Sequence, residues 1–314
     1  MILVNLEINK EQKEKLCAAA GKEEVIFVPR NQMTAGQLAE ACVIIGNIPL
    51  NRLPECRNLK WIHLNNSGAD DFARSEDLGR EVILTNSSGA YGPVIAEHAL
   101  AMMLELMKHL QLYCRHQWMR EWISEPSPFV LEGKTVVIVG TGDLGSSLAK
   151  KMQALGCRTI GVKRRVSEKL PFFHEIHTTS ELDNLLPLTD VLVTALPQTE
   201  DTVSLIDRQR LRLMKPSAYL INIGRGSTVD TDALTRALRC RELAGAALDV
   251  TEPEPLPHGH PLWTMDNVVI TPHVSGNYDV PETLERIVEI AAENLKRYFC
   301  GLPLINQVDR KAGY

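Results

Sequence analysis

The stretch Thr135-Val-Val-Ile-Val-Gly-Thr-Gly-Asp-Leu-Gly145 joins a run of β-branched residues to a Gly-x-Gly-x-x-Gly loop. Apolar side chains then recur at Leu144, Leu148, Met152 and Leu155, with spacings of 4, 4 and 3. These spacings place the four side chains on one face of a helix that packs on a core. A strand, a glycine turn and a helix in this order form the fingerprint of a dinucleotide-binding βαβ unit. A glycine-rich turn without a ligand is the alternative.

Each glycine of this loop has its own expected task. Gly140 allows the tight turn, Gly142 lets the backbone approach a pyrophosphate, and Gly145 lets the helix lie close to the strand. The start of the helix, at Asp143 and Leu144, adds unpaired N–H groups and the positive end of the helix dipole. We therefore predict that these five residues bind the cofactor.

The next strand predicts which cofactor is used. In an NAD site, an acidic residue about 20 positions after the glycines accepts the ribose 2′-hydroxyl. Here the strand at 158–162 runs into Lys163-Arg164-Arg165, and Lys163 lies 163 − 145 = 18 residues past Gly145. Three adjacent cations suit a 2′-phosphate, because arginine binds phosphate bidentately and lysine adds a point charge. NADP(H) is therefore favoured as the cofactor, and NAD(H) remains possible. The alternative is that these three residues form a solvated basic turn without a ligand.

Bulk properties restrict the class of protein. The length of 314 residues fits about two domains. A net charge of −5 gives no general attraction to nucleic acid or to an anionic membrane. The seven cysteines are scattered without a Cys-x-x-Cys pair, a pattern that favours reduced thiols in the cytoplasm. The N-terminal Met1-Ile-Leu-Val-Asn-Leu-Glu7 resembles a short strand more than a signal peptide.

Two further features argue against a membrane span and a metal site. The most apolar long stretch, 93–112, contains Glu97, Glu105 and Lys108, so it is too polar to cross a bilayer and predicts a long helix. His258 and His260 could suggest a metal, but no carboxylate or thiol cluster completes their Pro-His-Gly-His-Pro segment. We expect no metal ion.

The order of the predicted elements indicates an α/β fold. Short Val/Ile/Leu-rich runs alternate with helix-like segments, which is typical of parallel sheets with crossover helices. The sequence predicts two doubly wound parallel-sheet domains, a Rossmann nucleotide domain inserted into a flavodoxin-like substrate domain. The predicted strands are 2–6, 25–28, 43–45, 60–64 and 82–84, then 135–139, 158–162, 191–195, 218–223, 244–248 and 268–271.

The position of the glycine loop in the middle of the chain predicts the domain boundaries. Residues 1–97 together with 282–314 form the expected substrate domain, and residues 98–281 form the nucleotide domain. Helices at 93–117 and 281–299 are the two expected crossings between the domains.

Polar residues follow the carboxyl ends of four predicted strands, where doubly wound sheets place their ligands. Leu196-Pro197, Gly224-Arg225-Gly226, Asp249 and His273 occupy these ends, and Glu254 lies five residues beyond Asp249. Such a set supports reversible hydride transfer to a carbonyl, which needs a cation for the substrate and a proton donor for the new alkoxide.

The residue types suggest a division of roles. Arg225 can bind a carboxylate bidentately, and His273 can give and take a proton near neutral pH. Glu254, if it bonds the other ring nitrogen, favours the imidazolium and orients the ring. Taken singly, each has an ordinary structural alternative: a surface salt bridge for Arg225, a local carbonyl contact for His273 and a solvated loop charge for Glu254. Behind a cofactor motif the combination carries more weight.

Several segments of the chain resemble the D-2-hydroxyacid dehydrogenase family, over almost the full length and in the family's order. The family-like segments are Asn66-Ser-Gly-Ala-Asp70, Tyr91-Gly-Pro-Val-Ile-Ala-Glu-His98, Val139-Gly-Thr-Gly-Asp-Leu-Gly145, Asn222-Ile-Gly-Arg-Gly226, Gly245-Ala-Ala-Leu-Asp-Val250, Glu254-Pro255, Pro261-Leu-Trp263 and Thr271-Pro-His273.

The resemblance implies specific roles. Arg225 becomes the substrate anchor, His273 the acid/base and Glu254 its partner. Asp249 is expected to bond the nicotinamide carboxamide. Asn66, Ser67 and Gly68 are expected to bind the substrate, the latter two offering backbone N–H groups to its carboxylate. A homodimer packed through the nucleotide domain and the long helix is also implied. The remaining expected cofactor contacts are Leu196, Pro197, Thr202, Ile223, Gly224, Arg225, His273, Ser275 and Gly276.

Within the family, the chain resembles most the 2-ketoacid, glyoxylate or hydroxypyruvate reductases, which act on a small 2-keto acid. D-3-phosphoglycerate dehydrogenase is a close alternative, although the short chain and the basic cofactor turn count against it. Formate dehydrogenase is less consistent, because nothing extends the N-terminus. A dinucleotide-sensing binding protein without significant turnover, like the family's transcriptional co-repressors, is the alternative from another class.

Overall fold

The computed structural model describes residues 1–126, 129–165, 170–278 and 280–310, which divide into two compact units. The first unit is formed by Met1–Tyr91 and Asn277–Tyr314, and the second by Gly92–Gly276. The described helices are α1 (Lys10–Ala20), α2 (Ala35–Glu40), α3 (Asp70–Arg74), α4 (Gly92–Met107), α5 (Leu110–Met119), α6 (Asp143–Ala154), α7 (Leu182–Leu185), α8 (Arg208–Leu213), α9 (Thr231–Arg239) and α10 (Pro281–Phe299).

The first unit is built on a parallel sheet in the order β2-β1-β3-β4-β5, the flavodoxin-like order. A buried apolar cluster containing Leu3, Ile44 and Ile62 covers this sheet. The sequence at both ends of the chain contributes, since α10 packs on α1 and Glu285 pairs with Lys15. The described strands of this sheet are β1 (Ile2–Val4), β2 (Val25–Phe27), β3 (Val43–Ile45), β4 (Trp61–His63) and β5 (Ile83–Thr85).

The C-terminal segment of the first unit lies against the end of β5. Gln307 forms an isolated antiparallel bridge with Thr85, and the Val308 N–H donates to the Leu84 carbonyl at 2.9 Å. Val308 is itself buried in the core of this unit. The segment after α10 therefore contributes to the sheet edge.

The second unit contains a parallel sheet in the order β12-β11-β10-β9-β6-β7-β8. The order reverses between β6 and β9, which is the position where doubly wound sheets bind dinucleotides. The described strands are β6 (Thr135–Val139), β7 (Arg158–Lys163), β8 (Glu175–Thr178), β9 (Val191–Thr194), β10 (Tyr219–Asn222), β11 (Gly245–Leu248) and β12 (Val268–Ile270). The predicted fold class, two doubly wound parallel sheets, is confirmed.

Three local expectations were wrong. Strand β8 was not predicted, because its Glu-Ile-His-Thr sequence is an edge strand of partly buried residues without an apolar run. The expected long helix is interrupted at His109, which adopts a left-handed conformation with φ 57° between α4 and α5. Leu155 does not continue the core face of α6, since it follows the last helical residue and is 40% exposed.

The unit boundaries lie a few residues before the expected ones. Helix α4 belongs from its first residue to the second unit, so the first division falls at Tyr91–Gly92, before the expected 97–98. The second division falls at Gly276–Asn277, before the expected 281–282, and α10 lies wholly in the first unit.

Candidate active site

The glycine loop after β6 is tightly packed at two of its glycines and open at the third. Gly140 has φ +106°, and a Cβ added there would overlap the carbonyl oxygen of Ala195. A Cβ on Gly145 would overlap the carbonyl oxygen of Gly140, so the start of α6 lies directly against the loop. A Cβ on Gly142 would meet no atom within 4 Å. The open backbone at the start of α6 fits a pyrophosphate.

The two residues that follow Gly142 contact the protein in different ways. One oxygen of Asp143 accepts a hydrogen bond from the Gly92 N–H at 2.7 Å, so this carboxylate caps the start of α4. Leu144 is half-buried beside it. A structural role for Asp143 was not foreseen, because Gly92 lies 51 residues earlier in the sequence.

The basic turn begins beside the glycine loop. Val162 pairs with Val139 in the sheet, and its carbonyl accepts a hydrogen bond from the Gly140 N–H at 2.9 Å. Lys163 is half-buried, whereas Arg164 and Arg165 are exposed. The register of β6 and β7 therefore brings the expected 2′-phosphate residues to the same edge of the sheet as the glycines.

The loops after β9 and β10 pack on each other. The hydroxyl of Thr202 donates to the Pro197 carbonyl at 2.8 Å and closes the first loop. The Ile223 N–H donates to the Thr194 carbonyl at 3.1 Å, and a Cβ on Gly224 would lie 2.7 Å from the backbone nitrogen of Leu196. These close approaches keep both loops at the carboxyl edge of the sheet.

Arg225 is held by its neighbours on β10. The buried Asn222 donates its side-chain N–H to the Arg225 carbonyl at 3.0 Å and accepts from the Thr194 hydroxyl at 2.8 Å. A Cβ on Gly226 would overlap the Thr251 carbonyl oxygen, so the backbone after Arg225 is tightly packed. The guanidinium Nη1 donates to the Gly224 carbonyl at 3.0 Å, and the residue is half-buried.

Glu254 and His273 form a hydrogen-bonded pair. The distance between His273 Nδ1 and Glu254 Oε1 is 2.5 Å. The His273 side chain is 48% exposed and the Glu254 side chain is 41% exposed, so both are accessible to solvent. His273 has φ +54°, an uncommon conformation for a residue other than glycine, and its N–H donates to the Asp249 carbonyl at 2.8 Å. This geometry matches the pairing expected from the sequence.

Asp249 is 1% exposed and accepts hydrogen bonds from the segment around His273. Thr271, Val274 and Ser275 all donate to its carboxylate. His98 on α4 lies 2.9 Å from the Thr271 hydroxyl and 3.8 Å from Asp249 Oδ1. Sequence reasoning did not single out His98, because 151 residues separate it from Asp249. Gly276 follows Ser275 and is half-buried.

In the first unit, the expected substrate loop is surrounded by asparagines. Asn66 donates to the Gly68 carbonyl at 2.6 Å, and Asn47 donates to Asn66 Oδ1 at 2.8 Å. Asn86 donates to the Ser67 carbonyl at 2.7 Å. Asn47 follows β3 and Asn86 follows β5, so both come from strands that flank β4. Sequence reasoning missed both residues, since only the sheet order brings them to the loop.

A buried histidine lies beneath this loop. His63 Nδ1 is 2.8 Å from the Thr85 hydroxyl, and Nε2 is 3.2 Å from the Ser87 hydroxyl. Complete burial lowers the pKa of His63 to about 3. The imidazole is therefore neutral near neutral pH, and its neighbours are hydroxyls without charge.

The expected site residues thus fall into two sets in two units. Residues 66–68 belong to the first unit, while the glycine loop, the basic turn, Arg225, Glu254 and His273 belong to the second. Among the described residues, no group of three or more His, Cys, Asp or Glu is arranged to hold a metal ion. None of the helices formed by those residues combines the length and apolar character that a bilayer crossing requires.

The chain is similar in sequence to a known family of enzymes. Residues 100–275 match the family model "D-isomer specific 2-hydroxyacid dehydrogenase, NAD binding domain". A glyoxylate reductase of Thermofilum pendens is 34% identical over 81% of this chain and 76% of its own length. A D-3-phosphoglycerate dehydrogenase of Archaeoglobus fulgidus is 31% identical over 81% of this chain, which spans 48% of that relative.

Two solved structures are similar to this structure over the whole chain. A D-isomer specific 2-hydroxyacid dehydrogenase of Xanthobacter autotrophicus, in complex with NADPH and MES, gives a TM-score of 0.83 at 29% identity, covering 100% of this chain and 99% of that one. An NADPH-dependent glyoxylate/hydroxypyruvate reductase of Sinorhizobium meliloti, in complex with NADP and sulfate, gives a TM-score of 0.82 at 26% identity, covering 100% and 99%.

Proposed function

Because this chain belongs to the D-isomer specific 2-hydroxyacid dehydrogenases, we propose that it reduces a small 2-keto acid, such as glyoxylate or hydroxypyruvate, with NADPH. The chain is an oxidoreductase of the class that acts on CH–OH groups with a nicotinamide dinucleotide. The observation that carries the proposal is the exposed Glu254–His273 pair, separated by 2.5 Å, in the same unit as the dinucleotide loop.

Arg225 is the proposed anchor of the substrate. Its planar guanidinium can bind the carboxylate of a keto acid through two parallel hydrogen bonds. The same charge polarises the neighbouring carbonyl and favours the developing alkoxide. Its backbone is fixed by Asn222 and Gly226, so the direction of approach is set before the substrate binds.

His273 is the proposed general acid in the reduction. A nicotinamide dinucleotide held at the glycine loop would supply the hydride for C2 of the keto acid. The imidazolium of His273 gives its Nε2 proton to the carbonyl oxygen, and the product is a hydroxy acid. Glu254 holds Nδ1 and balances the charge of the imidazolium, so it orients the ring for this transfer. In the reverse direction, the neutral ring accepts the proton.

The other expected contacts are part of the same proposal. In the first unit, the Ser67 and Gly68 N–H groups bind the substrate carboxylate, supported by the asparagines around them. In the second unit, Lys163, Arg164 and Arg165 bind the 2′-phosphate of NADPH. The basic turn and the two NADPH- or NADP-bound structural neighbours support this preference.

The same test distinguishes this proposal from two other functions. The Archaeoglobus fulgidus relative favours D-3-phosphoglycerate dehydrogenase as the second candidate. A dinucleotide-sensing protein would bind the cofactor without turnover, although Arg225, Glu254 and His273 are all present.

The test is the initial rate of NADPH and NADH oxidation with glyoxylate, hydroxypyruvate, phenylpyruvate and a branched 2-keto acid, alongside NAD reduction with 3-phosphoglycerate. Fast turnover of glyoxylate or hydroxypyruvate with NADPH is expected. Replacement of both Arg164 and Arg165 by alanine should lower the NADPH-to-NADH preference about tenfold or more, since two phosphate contacts are lost. Reduction of NAD by 3-phosphoglycerate, faster than the reduction of either keto acid with NADPH, would replace the proposal, and cofactor binding without turnover would favour the sensor.

We also propose a homodimer in the cytoplasm. The exposed apolar side chains around α5 support the dimer, and light scattering of the Trp122→Glu variant, which should be monomeric, tests it. The scattered cysteines support the reducing compartment. The side chains that form the apolar surface are Leu110, Trp118, Met119, Trp122 and Ile123.

A further inference from the structure

The carboxylate of Asp249 is fully used by the protein itself. Oδ1 accepts from the Thr271 hydroxyl at 2.6 Å and from the Val274 N–H at 3.0 Å. Oδ2 accepts from the Ser275 N–H at 3.1 Å and from the Ser275 hydroxyl. A carboxylate has about four acceptor positions, and four donors meet this one. A buried charge is tolerated in this way because each lost water contact is replaced.

These donors lie on both sides of His273 in the sequence. Thr271 precedes it, Val274 and Ser275 follow it, and the His273 N–H donates to the Asp249 carbonyl. The segment is therefore fixed around a histidine whose own φ is +54°. Such a conformation persists only where the surroundings determine it. Asp249 supplies those surroundings through its four hydrogen bonds.

The direction of the hydrogen bonds extends this network to His98. The Thr271 hydroxyl has one proton. Its contact of 2.6 Å with Asp249 Oδ1 is much shorter than its contact of 3.5 Å with the Met102 sulfur, so it donates that proton to Asp249. The contact of 2.9 Å between His98 Nε2 and the Thr271 oxygen must then have His98 as the donor. His98 thus carries a proton on Nε2 and directs the Thr271 hydroxyl towards the carboxylate.

We propose that His98 is a positioning residue for the reaction, acting through Thr271 and Asp249 on the segment that carries His273. The proposal rests on the proposed function only in giving His273 the proton-transfer role. All residues of the chain of contacts lie in the second unit. His98 itself does not touch the reacting atoms in this scheme: it keeps His273 in the orientation that proton transfer needs.

The experiment compares two pairs of variants. His98→Leu removes the donor, whereas His98→Gln keeps a side-chain N–H of similar reach. Thr271→Val removes the hydroxyl, whereas Thr271→Ser keeps it. We expect His98→Leu and Thr271→Val to lower kcat between about tenfold and about a hundredfold, because small displacements of a catalytic group are costly. The KM for NADPH should change less than twofold, and His98→Gln and Thr271→Ser should restore most of kcat.

A second measurement needs neither cofactor nor turnover. Hydrogen–deuterium exchange of the cofactor-free protein should show faster exchange of the Val274 and Ser275 amides in His98→Leu and Thr271→Val than in the wild type. In the double variant His98→Leu/Thr271→Val, kcat should fall no further than in Thr271→Val alone, since both act through one hydrogen-bond chain. If His98→Leu does not fold, His98→Phe, which also lacks the N–H donor, takes its place in both measurements.

Three results would overturn the inference: wild-type kcat and exchange in His98→Leu, multiplication of the two losses in the double variant, or failure of both conservative variants to restore kcat. Failure of the proposed function is a separate result. It would appear as absence of turnover in the wild type, while the exchange measurement would still test the hydrogen-bond chain.

Discussion

The asparagine cluster of the first unit (Asn47, Asn66 and Asn86) and the acid/base pair of the second unit (Glu254 and His273) both organise expected substrate contacts, but with opposite chemistry. The asparagine cluster uses neutral amides that donate to backbone carbonyls and to each other. The acid/base pair joins a carboxylate to an imidazole and is more than 40% exposed at both side chains. One region fixes a backbone, and the other can exchange a proton.

The two histidines of these regions show how the surroundings decide the role. His63 is completely buried among hydroxyls, and burial lowers its pKa to about 3, so it stays neutral and serves only as a hydrogen-bonding partner. His273 is exposed and paired with a carboxylate. A residue that must take up and release protons needs access to water or substrate, whereas a residue that supports a loop can lose it.

The largest expected effect separates the acid/base pair from the rest of the molecule. His273→Ala should lower kcat by a factor of about 10² to 10⁴, because general acid catalysis contributes about that much. The dissociation constant for NADPH, measured by fluorescence titration, should change less than about threefold. His258→Ala, in an exposed loop, is the matched control and should keep the wild-type rate.

If the His273→Ala variant kept most of its kcat, His273 would not be the acid/base. The contrast between the asparagine cluster and the acid/base pair would then no longer hold. A variant that lost NADPH binding as well would indicate a structural defect in the loop that carries His273.

The next effect tests the claim that His63 is neutral. The folded pKa of about 3 lies below the ordinary value of 6.5, so the folded state binds fewer protons and loses stability as pH falls from 6.5 towards 3. Between pH 7 and pH 5 this amounts to about 2 kcal/mol. His63→Gln lacks this titration, so urea unfolding at the two pH values should show an acid-induced loss smaller by that amount.

His258→Gln, an exposed histidine, is the control and should keep the wild-type pH dependence of unfolding. If the free energy of unfolding fell equally between pH 7 and pH 5 in the wild type and in His63→Gln, His63 would be protonated in the folded protein. The asparagine cluster would then pack next to a charged imidazolium.

The smallest effect tests the loop itself. Asn86→Ala removes the hydrogen bond of 2.7 Å to the Ser67 carbonyl and should raise the KM for the keto acid about tenfold, equivalent to one lost hydrogen bond. The kcat should change little, and the KM effect should be equal at pH 6 and pH 8 because the cluster contains no titrating group. Steady-state kinetics at both pH values measure this.

Asn58→Ala offers a matched control in the same unit, since Asn58 also donates to a backbone carbonyl, that of Ala39, but lies on the surface. A fall in kcat without a change in KM for Asn86→Ala would place the asparagine cluster in the chemical step and would end the comparison as drawn.

Much of the sheet architecture could be predicted from the sequence because its strands are runs of Val, Ile and Leu between turn residues. The glycine loop was readable for the same reason, since the conformation at Gly140 and the close packing at Gly145 admit only glycine. Strand β8 was not predicted because this half-buried edge strand contains no run of apolar residues. The interruption of the long helix at His109 was not predicted because no glycine or proline lies there.

The supporting residues of the site could not be read in this way. Asn47 and Asn86 reach the loop at Asn66 and Ser67 across strand neighbours, each 19 residues away in sequence. His98 meets Thr271 across 173 residues. Such contacts depend on tertiary structure alone, and the residue types involved occur equally on any protein surface. The proposed site residues could be identified from sequence motifs, whereas the residues that support them could be identified only from the fold.

The bridge between Gln307 and Thr85 has a consequence for how the protein is made. The second unit is one continuous segment, Gly92–Gly276, whereas the first unit needs α10 and the pairing of Val308 with Leu84 to complete its sheet and core. Domains fold as units while the chain emerges from the ribosome. The second unit can therefore be completed before the first, because residues 1–91 still need α10 and the segment around Val308, which are synthesised later. The unit that contains the first residues of this chain is therefore the one that can be completed last.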